Sequence, residues 1–262
     1  MYGDGGGIPQ KLDIYVPDKR IANPTPAVVW IHGGGWSSGD KYPCQVGLLA
    51  QNGFLCVSIN YRLSGVAEFP AAVEDCKCAV RWLRAHAGDY GVDADHIGVW
   101  GGSAGGHLAL MVALADKSAG LEGNGGWANY SSGVQAVCSF YGSSDMVKQF
   151  TKGDKQAPSA FLGGKPGDEP EAFFRASPIN YVTPDDPPLL MVHGDKDTTV
   201  PFEQSEILLA AYQNIGLNAR LITVQNAGHG FTAANNLPVT PDANARNKEV
   251  LDFFTKYLVT SK

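Results

Sequence analysis

Strand-like and helix-like segments alternate along nearly the whole chain, and this alternation constrains the possible folds more than any other feature. Continuous apolar runs predict strands that are covered on both faces, at 27–31, 54–59, 97–100, 134–140, 189–192 and 219–224. Between them, apolar residues spaced three to four positions apart predict helices, at 70–87, 105–115, 203–215 and 244–259. A further run at 11–16 stops at Pro17 and predicts an edge strand. The pattern therefore predicts the α/β class, with a mostly parallel central sheet and helices on both faces.

One stretch, residues 143–187, departs from the alternation. It is rich in Pro, Gly, Asp and Lys, and a connection of this length in a compact domain is usually functional. A chain of 262 residues is generous for one domain and short for two. We therefore expect a single domain over 1–262, with an insertion at about 143–187 that lies over one edge of the sheet near the functional site.

Composition excludes several classes of protein. The net charge of −6 gives no basic surface for nucleic acid or for an anionic membrane, and no apolar run is long enough for a transmembrane helix. Five cysteines at irregular spacing predict reduced structural thiols rather than a disulfide framework. The N-terminal residues lack a signal-peptide pattern, which is compatible with a trimmed secreted or periplasmic protein and leaves the compartment open. Neither a metal site nor a cofactor is expected.

A candidate nucleophile follows the predicted strand that ends at Trp100. Gly101–Gly106 has the pattern Gly-x-Ser-x-Gly and leads directly into a helix, which is the context of a nucleophile elbow. A glycine-rich turn that binds nucleotide phosphate is the alternative. The spacing of the dinucleotide fingerprint is absent, however, and no Lys-Ser or Lys-Thr pair follows as in a P-loop. The pattern favours Ser103 as a nucleophile.

A second glycine cluster, His32–Trp36, follows the first buried strand. Its three consecutive glycines allow backbone N–H groups to approach a substrate carbonyl. We expect the N–H groups of Gly33 and Gly34, with that of Ala104 after the nucleophile, to form an oxyanion hole. A flexible loop without a catalytic role is the alternative.

A nucleophilic serine needs a histidine base, and that histidine needs a carboxylate to fix its tautomer. His229 lies in a flexible loop after the last strand and is the candidate base, whereas the other histidines are expected to have structural roles: His32, His86, His96, His107 and His193. Asp197, in the loop after the preceding strand, is the candidate acid. Asp195 is the alternative acid, and its other expected role is to accept backbone N–H bonds in that loop.

These motifs together resemble the α/β-hydrolase esterase/lipase family. The sequence is similar to hormone-sensitive-lipase-like enzymes and, more closely, to bacterial acetyl and feruloyl esterases that act on plant-wall carbohydrate. The similarity extends to 12–17, 60–63, 93–97 and the loops at 197–201 and 228–231. It implies that Ser103 attacks an ester, that His229 transfers the proton, that Asp197 holds His229, and that an acyl-enzyme is then hydrolysed. One departure from the pattern is that only 31 residues precede His32, which predicts no large cap and a preference for short acyl groups.

Three functions are compatible with the resemblance. The first is a serine carboxylesterase acting on acetyl or feruloyl esters of carbohydrate or of another small molecule. The second is an arylformamidase-type amide hydrolase with the same triad, and the third is a ligand-binding protein that keeps the fold without catalysis. The sequence does not define the oligomeric state.

Aromatic residues near the predicted loops are candidates for the substrate pocket: Trp36, Tyr141, Phe231, Trp127 and Phe161. Trp82 and Trp100 are expected in the core. Glycine is unusually frequent, at 32 residues. Ten of these glycines lie in the four predicted site loops, where we expect them to let the backbone approach substrate: Gly33, Gly34, Gly35, Gly101, Gly102, Gly105, Gly106, Gly194, Gly228 and Gly230.

Overall fold

The computed structural model describes residues 1–259 and contains one seven-stranded sheet. Its strands are β1 Leu12–Tyr15, β2 Thr25–Ile31, β3 Leu55–Ile59, β4 Val92–Gly102, β5 Ala136–Phe140, β6 Leu189–Gly194 and β7 Ala219–Val224. The spatial order is β1-β3-β2-β4-β5-β6-β7. Only β1 pairs antiparallel, with β3, and it lies at the edge of the sheet as its Pro17 stop predicts. The predicted α/β class and mostly parallel sheet are confirmed.

Helices follow most of the strands. They are α1 Gly47–Gln51, α2 Ala71–Ala85, α3 Ala87–Tyr90, α4 Ala104–Leu114, α5 Met146–Lys152, α6 Gln156–Leu162, α7 Pro170–Arg175, α8 Glu203–Asn214 and α9 Ala243–Leu258. The four long helices match their predicted positions within one or two residues. The sequence analysis did not predict α1, α3 or the three short helices of the 143–187 segment. Among residues 1–259, no helix is both long enough and apolar enough to cross a membrane.

Two apolar cores cover the two faces of the sheet. Along β2, Ala27, Val29 and Ile31 face one core, whereas Val28 and Trp30 face the other. The first core includes the apolar sides of α2, α4 and α8, and the second includes those of α1 and α9. Because β2 is buried on both sides along its whole length, its sequence is continuously apolar rather than alternating. Trp82 and Trp100 are buried in these cores, as predicted.

The segment 143–187 packs against the carboxyl end of the sheet. Its helix α6 contacts the glycine loop after β2, where Ala157 lies beside Gly35. Ala176, after α7, accepts a hydrogen bond from His107 of α4. These contacts lie beyond the central strands β2 and β4 rather than along an edge strand. Residues 1–31 contain β1 and β2 and no α-helix.

All five cysteines lie within the described residues and are free thiols, as the irregular spacing predicts. Four of them are buried: Cys56, Cys76, Cys78 and Cys138. Burial raises the pKa of Cys138, which keeps the thiol protonated. These cysteines therefore act as small apolar side chains.

Candidate active site

Ser103 occupies the sharp turn between β4 and α4. Its backbone has φ 56° and ψ −123°, a combination that non-glycine residues adopt only when the surrounding structure imposes it. The Ser103 N–H donates to the Phe140 carbonyl at the end of β5, 2.9 Å away. The turn thus holds the Ser103 side chain above the carboxyl end of the sheet, as the elbow motif predicts.

The glycines around this turn allow backbone segments to approach one another. A Cβ at position 105 would lie 2.1 Å from the Ile31 carbonyl oxygen, and a Cβ at position 101 would lie 2.2 Å from that of Gly105. Similarly, a Cβ at position 194 would lie 2.3 Å from the Ala227 carbonyl oxygen. The expectation that all ten loop glycines serve approach to substrate is therefore wrong for these three, which instead let α4 and the loops pack on the sheet.

A line of hydrogen bonds joins Ser103, His229 and Asp197. His229 Nε2 lies 2.9 Å from Ser103 Oγ, and His229 Nδ1 lies 2.7 Å from Asp197 Oδ2. Since a carboxylate only accepts, Nδ1 carries the proton and Nε2 is free to accept the serine proton. The structure thus brings together the three side chains in the predicted order Ser103–Asp197–His229.

The Asp197 carboxylate is fully buried and fixed on both oxygens. Oδ1 accepts the N–H groups of Thr199 and Val200, each at 2.9 Å, while Oδ2 accepts from His229. Burial by itself would raise the pKa of Asp197, but hydrogen bonding to His193 and His229 lowers the pKa to about 2. Asp197 is therefore ionised at neutral pH.

The alternative acid, Asp195, does not reach His229. One of its oxygens lies 3.2 Å from the Lys196 ammonium, and the other is buried with no hydrogen-bond partner among residues 1–259. Accepting backbone N–H groups in this loop, the other role expected of Asp195, belongs to Asp197 instead. Of the two carboxylates, Asp197 is the one that hydrogen-bonds to His229.

The two predicted donor loops meet beside Ser103. A Cβ at position 33 would lie 2.8 Å from the Gly102 carbonyl oxygen and 3.3 Å from Ser103 Cβ, so the loop runs directly alongside Ser103. Gly33, Gly34 and Ala104 all line the same cavity as Ser103. Their N–H groups donate to no other residue within 1–259. The Ala104 N–H has no partner within the helix because Ala104 is the first residue of α4.

The cavity at this site has a volume of about 460 Å³. It is lined by the glycine loop, by Ser103 and by His229. It is also lined by polar residues that the sequence analysis did not identify as lining residues, several of them from the 143–187 segment: Gln45, Ser143, Gln149, Asp154 and Thr199. Thr199 lies in the 197–201 loop, whereas no local motif surrounds the other four, which only proximity in the fold reveals.

The structure places the five aromatic candidates in different positions relative to the cavity. Trp36 and Tyr141 line the cavity, as predicted. Phe231 lies behind Tyr141, with ring centroids 4.8 Å apart, and Phe161 is buried beneath Trp36 in a stacked contact. Trp127 is remote, since its indole N–H donates to the Tyr2 carbonyl. Among residues 1–259, the residues that line the cavity do not include Phe231, Phe161 or Trp127. The predictions for these three as lining residues are therefore wrong.

The remaining histidines near the site have structural contacts. His32 stacks on Tyr61, and its Nδ1 lies 2.7 Å from the Gly33 carbonyl oxygen, so it orders the glycine loop. His193 Nε2 lies 2.9 Å from the Val200 carbonyl oxygen and 3.5 Å from Asp197, next to the triad. His107 is fully buried between Trp36 and Ala176. All three agree with their predicted supporting roles.

A family model described as BD-FAE matches residues 12–212, which include the glycine loop, the elbow and Asp197. The chain belongs to the BD-FAE family. Its fold is that of the α/β-hydrolases, since structural neighbours with 30% or more identity are esterases of this fold.

Two curated relatives from Mycobacterium tuberculosis illustrate the family context. Esterase LipQ is 34% identical over 241 residues, which cover 89% of this chain and 56% of LipQ. The probable carboxylic ester hydrolase LipM is 34% identical over 217 residues, which cover 78% of this chain and 48% of LipM. The chain thus spans about half the length of these relatives.

Solved structures of similar proteins cover more of the chain. A truncated carbohydrate esterase from gut microbiota superimposes with a TM-score of 0.83 at 32% identity, covering 95% of this chain and 91% of the other. Esterase 2 of Thermogutta terrifontis with bound propionate gives a TM-score of 0.80 at 30% identity, covering 100% and 95%. The second similarity covers the whole chain, including the glycine loop, the elbow and the 143–187 segment.

Proposed function

We propose that this BD-FAE family member is a serine carboxylesterase that removes short acyl groups, in particular acetyl, from hydroxyl groups of carbohydrate. The hydrogen-bonded line Ser103–His229–Asp197 carries the proposal, together with three backbone N–H groups beside it that have no acceptor within residues 1–259. Relatives named as esterases and structural neighbours named as carbohydrate esterases support it.

The geometry supports an acyl transfer in two steps. Ser103 Oγ attacks the ester carbonyl while His229 Nε2 takes its proton, and the oxyanion accepts hydrogen bonds from the N–H groups of Gly33, Gly34 and Ala104. His229 then gives the proton to the departing alkoxide, which leaves an acyl ester on Ser103. Water, deprotonated by His229, hydrolyses that ester and restores the serine. Asp197 keeps the Nδ1 proton on the imidazole throughout.

The size of the cavity is compatible with a short acyl group and the sugar that carries it. Its volume of about 460 Å³ lies within the usual range of small-molecule sites. The polar side chains that line it are engaged within the protein, since Ser143 donates to Gln149 and the Asp154 carboxylate accepts the N–H groups of Gln156 and Ala157. A relative crystallised with propionate also supports a short acyl group.

Hydrolysis of p-nitrophenyl acetate by the parent protein and by Ser103→Ala tests the triad. We expect Ser103→Ala to lower kcat/KM by about 10⁴-fold or more, whereas Ser118→Ala, at an exposed serine, leaves it unchanged. Paraoxon, which phosphorylates the Thermogutta relative, should modify one serine per chain in the parent and none in Ser103→Ala. Equal activity of parent and Ser103→Ala would refute the proposal.

A substrate panel tests the acyl and alcohol groups. We expect the highest kcat/KM at acyl chains of two to four carbons among p-nitrophenyl esters, and release of acetate from acetylated xylan. A maximum at eight carbons or more would contradict the short-acyl proposal. Methyl ferulate measures whether an aromatic acyl group is accepted, and N-formyl-aryl amides measure the amide-hydrolase alternative. A large preference for the amide would replace the esterase proposal.

A further inference from the structure

The glycine loop beside Ser103 has an unusual backbone that neighbouring residues must hold. Gly34 has φ 110°, Gly35 φ 57° and Trp36 φ 57°. Glycine adopts such values readily, but for a bulky residue such as tryptophan a positive φ costs energy. Gly33 and Gly34 lie just before Trp36 in the same loop. The direction of the Gly33 and Gly34 N–H groups therefore depends on what holds Trp36 in place.

The Trp36 indole has two specific contacts. Its Nε1–H donates to His107 Nδ1 at 3.1 Å. Its ring stacks on Phe161 of α6, with centroids 4.8 Å apart and planes at 10°. Trp36 is only 4% exposed, so no water replaces either contact. The indole is therefore fixed by α4 on one side and by the 143–187 segment on the other.

His107 links these two parts of the protein. It lies on α4, one turn after Ser103, and its Nε2 is 2.8 Å from the Ala176 carbonyl oxygen. An indole N–H only donates and a carbonyl only accepts, so both contacts are satisfied when the neutral imidazole carries its proton on Nε2. Both ring nitrogens are thereby used, and a protonated His107 would direct an N–H at the Trp36 N–H.

We propose that His107 and Trp36 are positioning residues for the oxyanion hole, and that through them the 143–187 segment controls the direction of the Gly33 and Gly34 N–H groups. This inference rests on the proposed esterase function and adds to it. The contact matters most where negative charge develops, at the tetrahedral intermediate, so its loss should lower kcat more than it changes KM.

The sharpest variant is Trp36→Phe, which deletes the indole N–H and keeps an aromatic ring against Phe161. We expect kcat for p-nitrophenyl acetate to fall about tenfold, with KM within about twofold of the parent, and the rate of inactivation by paraoxon to fall in parallel. Trp127→Phe is the matched control, because it deletes an indole N–H that donates to the Tyr2 carbonyl at 2.8 Å, away from the cavity. It should leave kcat within about twofold.

A double-mutant cycle completes the test. With His107→Leu and Trp36→Phe as the single variants, the double variant should lose no more activity than the worse single variant, because the Trp36–His107 hydrogen bond is already lost in each of them. Additive losses, or a Trp36→Phe kcat within twofold of the parent, would overturn the inference. If His107→Leu does not fold, Trp36→Phe alone decides. A parent activity that does not depend on Ser103 would instead refute the underlying function.

Discussion

Two cavities within residues 1–259 differ in a way that their volumes do not predict. The cavity at Ser103 has about 460 Å³, whereas one lined by parts of α2, α4 and the loops at 128–134 and 183–187 has about 680 Å³. In the larger one, Glu122 accepts from buried Lys77 and buried Arg81, and also from Ser132. In the smaller one, three backbone N–H groups beside Ser103, the proposed nucleophile, have no acceptor within 1–259.

The difference shows that hydrogen-bond donors without an acceptor, rather than the volume of a cavity, indicate where a reaction is to be proposed. Charges paired with one another stabilise a structure and have little capacity left for a ligand. Donors held in place without an acceptor, next to a serine hydrogen-bonded to a histidine, are prepared for charge that develops during a reaction. The following experiments test this contrast.

The largest expected effect is at the acid. Asp197→Asn should lower kcat by about 10⁴-fold, because an amide at this position favours the wrong imidazole tautomer. Asp195→Asn, two residues away and without contact to His229, should retain kcat within about twofold. Kinetics of both variants on p-nitrophenyl acetate decide the point, and comparable losses would show that the two carboxylates share the role.

In the larger cavity, the expected effect is on stability instead. Glu122→Gln leaves the Lys77 and Arg81 cations buried without their carboxylate, which should lower the free energy of unfolding by about 3–5 kcal/mol. Glu203→Gln is the matched control, since Glu203 also pairs with two lysines, Lys148 and Lys152, but at the surface; its effect should be much smaller. Urea unfolding measures both, and kcat of folded Glu122→Gln should equal that of the parent.

His107 is neutral in the folded protein, unlike the charged groups of the larger cavity. The free energy of unfolding should therefore depend on pH through His107. Burial lowers the pKa of His107 from 6.5 to about 4. Between these values the unfolded chain binds a proton that the folded protein does not, so stability falls as the pH drops from 6.5 to 4. The loss should reach about 3 kcal/mol, at 1.36 kcal/mol per pKa unit. His107→Leu should lack this part of the slope in urea unfolding at pH 7, 5.5 and 4.

The smallest effect is expected at Tyr130, an exposed side chain that lines the larger cavity. Tyr130→Ala should change stability by no more than about 0.5 kcal/mol. We expect unchanged kcat/KM for both p-nitrophenyl acetate and acetylated xylan. A loss confined to the polymer would break the contrast, because it would make the larger cavity a polysaccharide subsite.

The fold and the triad were predictable because their signals are local. Each of Ser103, Asp197 and His229 lies in a short motif directly after a strand, and parallel strands bring such loops to one end of the sheet. The start of β4 was missed because Val92 joins the sheet only through pairing with distant Thr25. The helix α6 was missed as well, although it contains Pro158. It begins only two residues before this proline, and the first turn of a helix tolerates proline.

The aromatic lining was less predictable. Trp36 and Phe231 both follow glycines in site loops, yet one lines the cavity and the other packs between Tyr141 and Arg246. Which way each ring points depends on partners far away in sequence, such as His107 for Trp36. Residue type and position next to a motif carry no information on such contacts.

The backbone of Ser103 has a consequence for how this chain can vary. A residue at φ 56° and ψ −123° would be accommodated with less strain as glycine, so selection for stability alone would remove the hydroxyl. A lineage that no longer needed the reaction should lose this serine early, while the glycines at 101 and 105 that let α4 pack would persist. The identity of residue 103 therefore records whether a descendant of this chain is still under selection for turnover.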